Sequence, residues 1–412
     1  MKPLIHILQT AAYGASLLLV GSIPGLSITL SDATLGSINR LIGGGVVLLW
    51  LLSVIAAGRM RKLILFHWLA LTFAVWYVIS LWWSIAPENS PFLLNVVQGA
   101  ALTVTLWDLY RTRAQVEAAM QAFLLGGYVS VATTVWNFGQ GNQVRHWEKR
   151  FAASGFDPND IALTVAIGIP LAAYLATRTT KPGFLRVLNF LYPVAAGFVI
   201  ILSGSRGAML AAAPAYLYSM ASVARMSRGW RLAALAVLVA VVGGAARLDL
   251  SEPLQRLGTV TASASDDHLS GRSDLWQAGW SVYGQHPFLG VGGGAFAAAT
   301  KPLTGLGESL IAHNTYLSVL TELGPFGILV FAALLAAVIA SAPRWPDPLR
   351  PACLLALLVW VIGVFALSWE FRSQTWLLFT LIAAAGHCAE AALARQKDDF
   401  LRPAAAMNGG RR

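Results

Sequence analysis

The chain has 412 residues and a formal net charge of +10, and 57% of its residues are hydrophobic against only 12% charged. A soluble domain carries about twice that charged fraction, and apolar runs of about 20 residues, the length that crosses hydrocarbon, recur from end to end, which excludes a soluble fold. The basic residues are scattered through short loops rather than gathered in a patch, which points to membrane topology and lipid contact and away from nucleic acid.

Met1-Lys2-Pro3 runs straight into an apolar stretch with no clean A-x-A-like cleavage site, so the first segment reads as a spanning helix rather than a signal peptide. Apolar length then predicts an all-α polytopic membrane protein of about 12 transmembrane helices, at 4–22, 38–57, 63–84, 92–110, 115–138, 159–177, 185–203, 207–224, 230–246, 323–341, 351–370 and 374–394. The connections alternate sides, and charge tests the alternation. Arg59, Arg61 and Lys62, Arg111 and Arg113, Arg178, Lys181 and Arg186, Arg225, Arg228 and Arg231, and Arg344 and Arg350 all fall on one side, with Lys2 and the basic tail. The positive-inside rule makes that side the cytoplasm and puts both termini there. Residues 1–246 then hold nine helices, with a short external loop at about 139–158. A large external loop, periplasmic in a Gram-negative cell, fills 247–312; three helices follow in 313–394, and 395–412 reads as a disordered tail. Cys353 and Cys388 both lie in apolar segments, which argues against a disulfide framework or a thiolate metal cluster.

The basic residues that break the charge rule are the informative ones. Arg145, Lys149 and Arg150 fall in the short external loop, Arg206 in a tight turn, and Arg247, Arg256 and Arg272 in the long one. Ser203-Gly204-Ser205-Arg206-Gly207 barely suffices to turn between two apolar helices, and a charge at that depth costs a few kcal/mol unless it is paired. An arginine there can snorkel to lipid phosphate or pair with a carboxylate; several together suit an anionic ligand, because guanidinium grips phosphate through paired donors. Asp157-Pro158-Asn159-Asp160 reads as a helix start, with Asp157 or Asn159 as cap and Pro158 in the first turn.

In the long loop, Ser273 or Asp274 is expected to cap a helix carrying Trp276, Trp280 and Tyr283, a stripe suited to the headgroup zone. Gly290-Val291-Gly292-Gly293-Gly294 could form a nest of N–H groups for an anion, although a flexible loop is the plainer reading, and no P-loop Lys follows. His313, at the end of the polar stretch, is placed for general-base work near neutral pH; the alternative is an ordinary hydrogen-bonded histidine. His146, His268 and His286 lack the short paired spacing of a zinc site, so no metal is expected.

Taken in order, Arg150…Asp157-Pro158-Asn159-Asp160, Ser205-Arg206-Gly207-Ala208, Gly271-Arg272-x-Asp274-x-Trp276…His286-Pro287…Gly290-x-Gly292 and His313-Asn314…Glu322-Leu323-Gly324…Gly327 resemble the O-antigen ligase and polymerase superfamily. The resemblance implies a GT-C-like membrane glycosyltransferase in the bacterial inner membrane, with its active site facing the periplasm. It implies a donor glycan on undecaprenyl diphosphate, a lipid A–core acceptor and no cofactor, the product being lipopolysaccharide. On that basis His313 is expected as general base of an inverting transfer. Arg206, Arg272 and Arg150 are expected on the diphosphate, with Asn314, Asp274, Arg145, Asn159 and Asp160 in support. An O-antigen polymerase and a protein O-oligosaccharyltransferase are the alternatives within the superfamily. A lipid-linked sugar transporter is the alternative from another class, and it would line a path through the bundle with charge. Asp266, Asp267, Glu308, Glu370 and Arg372 receive no role from the sequence.

Overall fold

The computed structural model describes residues 2–25, 38–86, 90–144, 150–178, 183–245, 247, 272–304 and 310–408. In chain order they form α1 (Lys2–Gly25), α2 (Ile38–Ala57), α3 (Leu65–Ser80), α4 (Ser90–Leu109), α5 (Arg113–Gly139), α6 (Pro158–Arg178) and α7 (Phe184–Ser203). There follow α8 (Arg206–Ala224), α9 (Arg228–Ala245), α10 (Arg272–Gln285), α11 (Phe296–Thr304), α12 (Thr315–Ser341), α13 (Leu349–Gly363) and α14 (Ser373–Asn408). Each segment expected to cross the membrane contains a helix, and among the described residues eight helices are long and apolar enough to do so. Leu65–Ser80 and Leu349–Gly363 are apolar but have 16 and 15 residues, and at about 1.5 Å per residue they fall short of about 30 Å of hydrocarbon; α4 has 20 residues, of which Leu93–Leu109 form the apolar part. The remaining candidate, α9, has Arg228 and Arg231 in its first turn.

Three other boundaries differ from expectation. The span expected at 323–341 starts eight residues earlier, at Thr315, because Asn314 caps it by accepting from the N–H groups of Tyr316 and Leu317. The span expected to reach 370 ends at Gly363, and residues 364–372 form a turn. The tail expected to lack order from Gln396 continues α14 to Asn408.

The bundle is organised around α6, in which the residues from Asp160 to Ala176 are all buried. It packs against α5, α7, α8 and α13, and Asn159 and Asp160 lie in its first turn. At the other end of α6, charges are paired with one another. Arg113 grips Asp347 through two bonds of 2.6 and 2.8 Å, Glu117 accepts from Arg113 at 3.1 Å and from Arg178 at 3.0 Å, and the Arg61 guanidinium lies 3.6 Å above the Trp107 ring. Burial, the largest single influence, raises the Asp347 carboxyl, but the Arg113 hydrogen bonds, the Leu349 N–H and the charges of Arg113 and Arg178 together hold it below the ordinary carboxylate range. The stabilisation from this pair is therefore present above the ordinary carboxylate pKa and lost as pH falls through the lowered one. Asp347→Asn should destabilise the detergent-solubilised protein by about 1.5–3 kcal/mol and flatten its melting temperature against pH on the acid side; a melting curve unchanged at neutral pH would refute the role of the pair.

Candidate functional site

The opposite end of the bundle, where α6 and α8 begin and α7 ends, carries the residues singled out from the sequence. Pro158 is the first residue of α6, and Asp157 accepts from the Asn159 N–H at 2.8 Å, so the expected helix start is formed by Asp157. Ser203 closes α7, Gly204 adopts the left-handed conformation (φ 59°), and Ser205 caps α8, so that Arg206 is its first residue. Only a residue tolerant of positive φ lets the chain reverse between two helices in two residues.

Arg150 is 9% exposed. Its Nε donates to the Ser203 carbonyl at 2.7 Å and one Nη donates to Asn159 Oδ1 at 2.7 Å. The side chain thus staples the end of α7 to the start of α6, beside the turn that presents Arg206. At least two of its nitrogens are thus engaged by the protein. The neighbouring Phe151 N–H donates to the Leu202 carbonyl at 3.0 Å and extends the staple. Arg145, expected beside it, lies outside the described residues.

Asp160 is likewise committed. Its Oδ1 accepts from the Trp369 indole and its Oδ2 from Arg372, both at 2.8 Å. Arg372, given no role by the sequence, is its ion-pair partner across 212 residues of chain.

The 364–372 turn is the hub that joins the remaining parts. Thr315 donates its N–H to the Val364 carbonyl at 3.0 Å and its hydroxyl to the Leu367 carbonyl at 2.8 Å, while accepting from the Trp369 N–H at 2.8 Å. Ser318 donates to Glu370 Oε1 at 2.7 Å. Burial pushes the Glu370 carboxyl above its ordinary range, against the Ser318 and Thr315 hydrogen bonds and the charge of Arg372, which pull it down. A side chain on Gly207 would begin 3.0 Å from the Ala366 methyl, so the start of α8 touches the same turn. The backbone at 206–207 and the backbone at 313–315 therefore flank one short segment.

His313 is half-buried, follows the buried Ala312 and precedes the Asn314 cap. Its φ of 46° is the one positive value at a non-glycine among the described residues, a strained geometry that recurs at functional positions. The Trp276 indole donates to the Ala312 carbonyl at 3.0 Å, and Leu275, Phe296, Ala312 and Leu317 form a small apolar cluster beneath. Arg272 stands one turn before Trp276 at the start of α10, so the α10 face that carries it abuts the His313 strap. Because α10 begins at Arg272, Ser273 and Asp274 sit inside its first turn rather than capping it; Asp274 is exposed, where a carboxylate favours the helix dipole. The Trp276 indole is thus engaged by the protein, whereas Trp280 is 57% exposed.

The glycine run is bonded to the chain's own groups. Gly294 and Phe296 donate their N–H groups to the two carboxylate oxygens of Glu322 at 2.9 and 3.0 Å, so the nest for an anion exists and holds the chain's own carboxylate. Val291 and Gly292 bond the carbonyls of Thr321 and Glu322 at 2.9 Å each, next to an interruption of α12 at Gly324 (φ 67°, ψ −169°). Glu322→Ala would leave two buried N–H groups unmatched, at about 1–3 kcal/mol each; a melting temperature equal to the parent's would show that the cap contributes nothing.

Among the described residues no group of three or more His, Cys, Asp or Glu is placed to hold a metal ion. Asp266, Asp267 and Glu308 lie outside the described residues. Residues 191–332, from within α7 to within α12, match the family model described as O-Antigen ligase. The matched stretch contains Arg206, Arg272, His313 and Asn314, while Arg150, Asn159 and Asp160 precede it. It supports the superfamily resemblance drawn from the motifs. No curated protein matches the chain.

Proposed function

We propose that this multi-pass membrane protein, with its O-antigen ligase domain, is a glycosyltransferase that moves a glycan from undecaprenyl diphosphate to lipid A–core at the periplasmic face of the inner membrane. The observation that carries the reading is the convergence on one end of the bundle of three segments: the Arg206 turn, the start of α10 with Arg272, and the His313 strap. Arg206 and Arg272 hold the donor diphosphate and stabilise the charge that grows on it as it leaves. Arg150 and Asn159 fix the turn from which Arg206 reaches. Asn314, as cap of α12, and Asp160, paired with Arg372, keep the strap and the hub turn in register.

The acceptor hydroxyl oxygen attacks the anomeric carbon from the face opposite the diphosphate. As the new C–O bond forms, the bond to phosphate breaks, the electron pair leaves on the diphosphate and the hydroxyl proton passes to the His313 imidazole. One displacement inverts the anomeric centre. Guanidinium groups supply the positive charge that the leaving diphosphate needs, so the step calls for no divalent ion.

The test uses purified protein, a synthetic undecaprenyl diphosphate glycan and lipid A–core. Glycan-modified lipid A–core supports the ligase reading; a lengthened carrier-linked chain would make it a polymerase, and glycolipid translocation without transfer would make it a transporter. Arg206→Lys, which keeps charge but loses the planar fork, should lower transfer by about 10²-fold. A fully active Lys variant would mean the site needs charge alone.

A further inference from the structure

A cavity of about 510 Å³ opens between α1, α2, α4, the start of α6 and residues 369–374, within the size range of small-molecule sites, about 300–1,000 Å³. It lies against the Asp160–Arg372 pair and is amphipathic. Leu19, Ile23, Val47 and Leu102 supply apolar surface, and Asn39, Asn95, Gln98 and Gln374 supply amides. Neither Asn95 nor Gln98, which stand one turn apart on α4, is spent on a hydrogen bond to another described residue. The charges on the lining balance, Arg40 and Arg372 against Asp157 and Asp160. A bare anion would gain from the arginines and lose to the carboxylates. Side-chain amides both donate and accept, so the amides suit a neutral, hydroxyl-rich group, and the apolar side chains suit a hydrocarbon chain attached to it. Trp369, which lines the cavity, donates its N–H to Thr315, two residues beyond His313.

We infer that this cavity seats the lipid-borne saccharide that accepts the transferred glycan. Its sugar lies against the amides and its apolar chain runs between α1, α2 and α4. The inference rests on the transferase reading above and adds a second lipid site, lined by none of the residues assigned to the donor diphosphate. Trp369 and Arg372 connect the two through the hub turn.

Two variants test it in lipid nanodiscs. Gly44 lines the cavity, and a methyl group placed on it would have nothing within 4 Å, so Gly44→Phe fills the space without striking a neighbour at its base. Gln98→Leu keeps side-chain size and removes the amide, which guards against misfolding of the first variant. Each should weaken lipid A–core binding and raise its KM by about tenfold, about 1.4 kcal/mol, with the KM for the undecaprenyl diphosphate glycan unchanged. Unchanged acceptor KM in both variants overturns the inference, as does a rise in donor KM instead, or equal competition by phosphatidylglycerol. The two readings fail separately: lipid A–core binding that the variants weaken, without any transfer by the parent, refutes the transferase and leaves the cavity standing. Normal transfer by both variants does the reverse.

Discussion

His313→Ala is expected to lower glycan transfer by about 10²–10⁴-fold, while the protein still inserts and melts within a few degrees of the parent. The imidazole is the group that takes the acceptor proton in the proposed displacement, and an alanine methyl cannot replace it. The residue also sits at φ 46°, a region that histidine enters more readily than alanine, so a small loss of stability accompanies the change. His313→Asn separates the two effects, because asparagine tolerates positive φ and is not a base near neutral pH. It should be as inactive as the alanine variant and at least as stable as that variant. Lipopolysaccharide ladders of normal length and intensity from either variant would end the general-base proposal.

The helices were legible in the sequence because apolar runs of membrane length are a strong signal, and every predicted span contains a helix. Their ends were not, because caps and breaks are local chemistry: Asn314 starts α12 eight residues before apolarity alone suggests. Arg150, Arg206, Arg272 and His313 stood out as polar groups in places that shed them. What each of them touches was hidden, since the partners are distant in the chain. Arg150 meets a backbone carbonyl 53 residues away, and Asp160 finds Arg372 across 212. The hub turn at 364–372 was read as the end of a span, because Trp369 and Phe371 look as apolar as the helix before them. Glu322 was visible in its motif, but nothing in the sequence distinguishes a carboxylate that fills a nest of N–H groups from one beside it.

Gly324→Val is expected to abolish accumulation of folded protein. The native φ of 67° and ψ of −169° belong to a region that only glycine enters readily. A side chain there would also begin 2.5 Å from the Phe288 carbonyl oxygen. The Trp76 indole donates to the Leu323 carbonyl at 3.0 Å, so the backbone exposed by the interruption is served by a specific partner on α3. Such groups have no water to turn to in hydrocarbon. Fluorescence-detected size exclusion of a tagged variant should show aggregate or no signal. A monodisperse peak with parental melting behaviour would show that α12 can run straight through this point.

The partnership between α3 and the 288–324 region also dictates an order of assembly. Trp76 waits for a carbonyl that leaves the ribosome 247 residues later, and Ser80 and Ser84 for Gly293, 213 and 209 residues on. Throughout most of translation the end of α3 lacks these partners. Maturation of the molecule is therefore gated by its last third, and a stop codon anywhere upstream of Phe288 strands the first half without the neighbour it was shaped to receive.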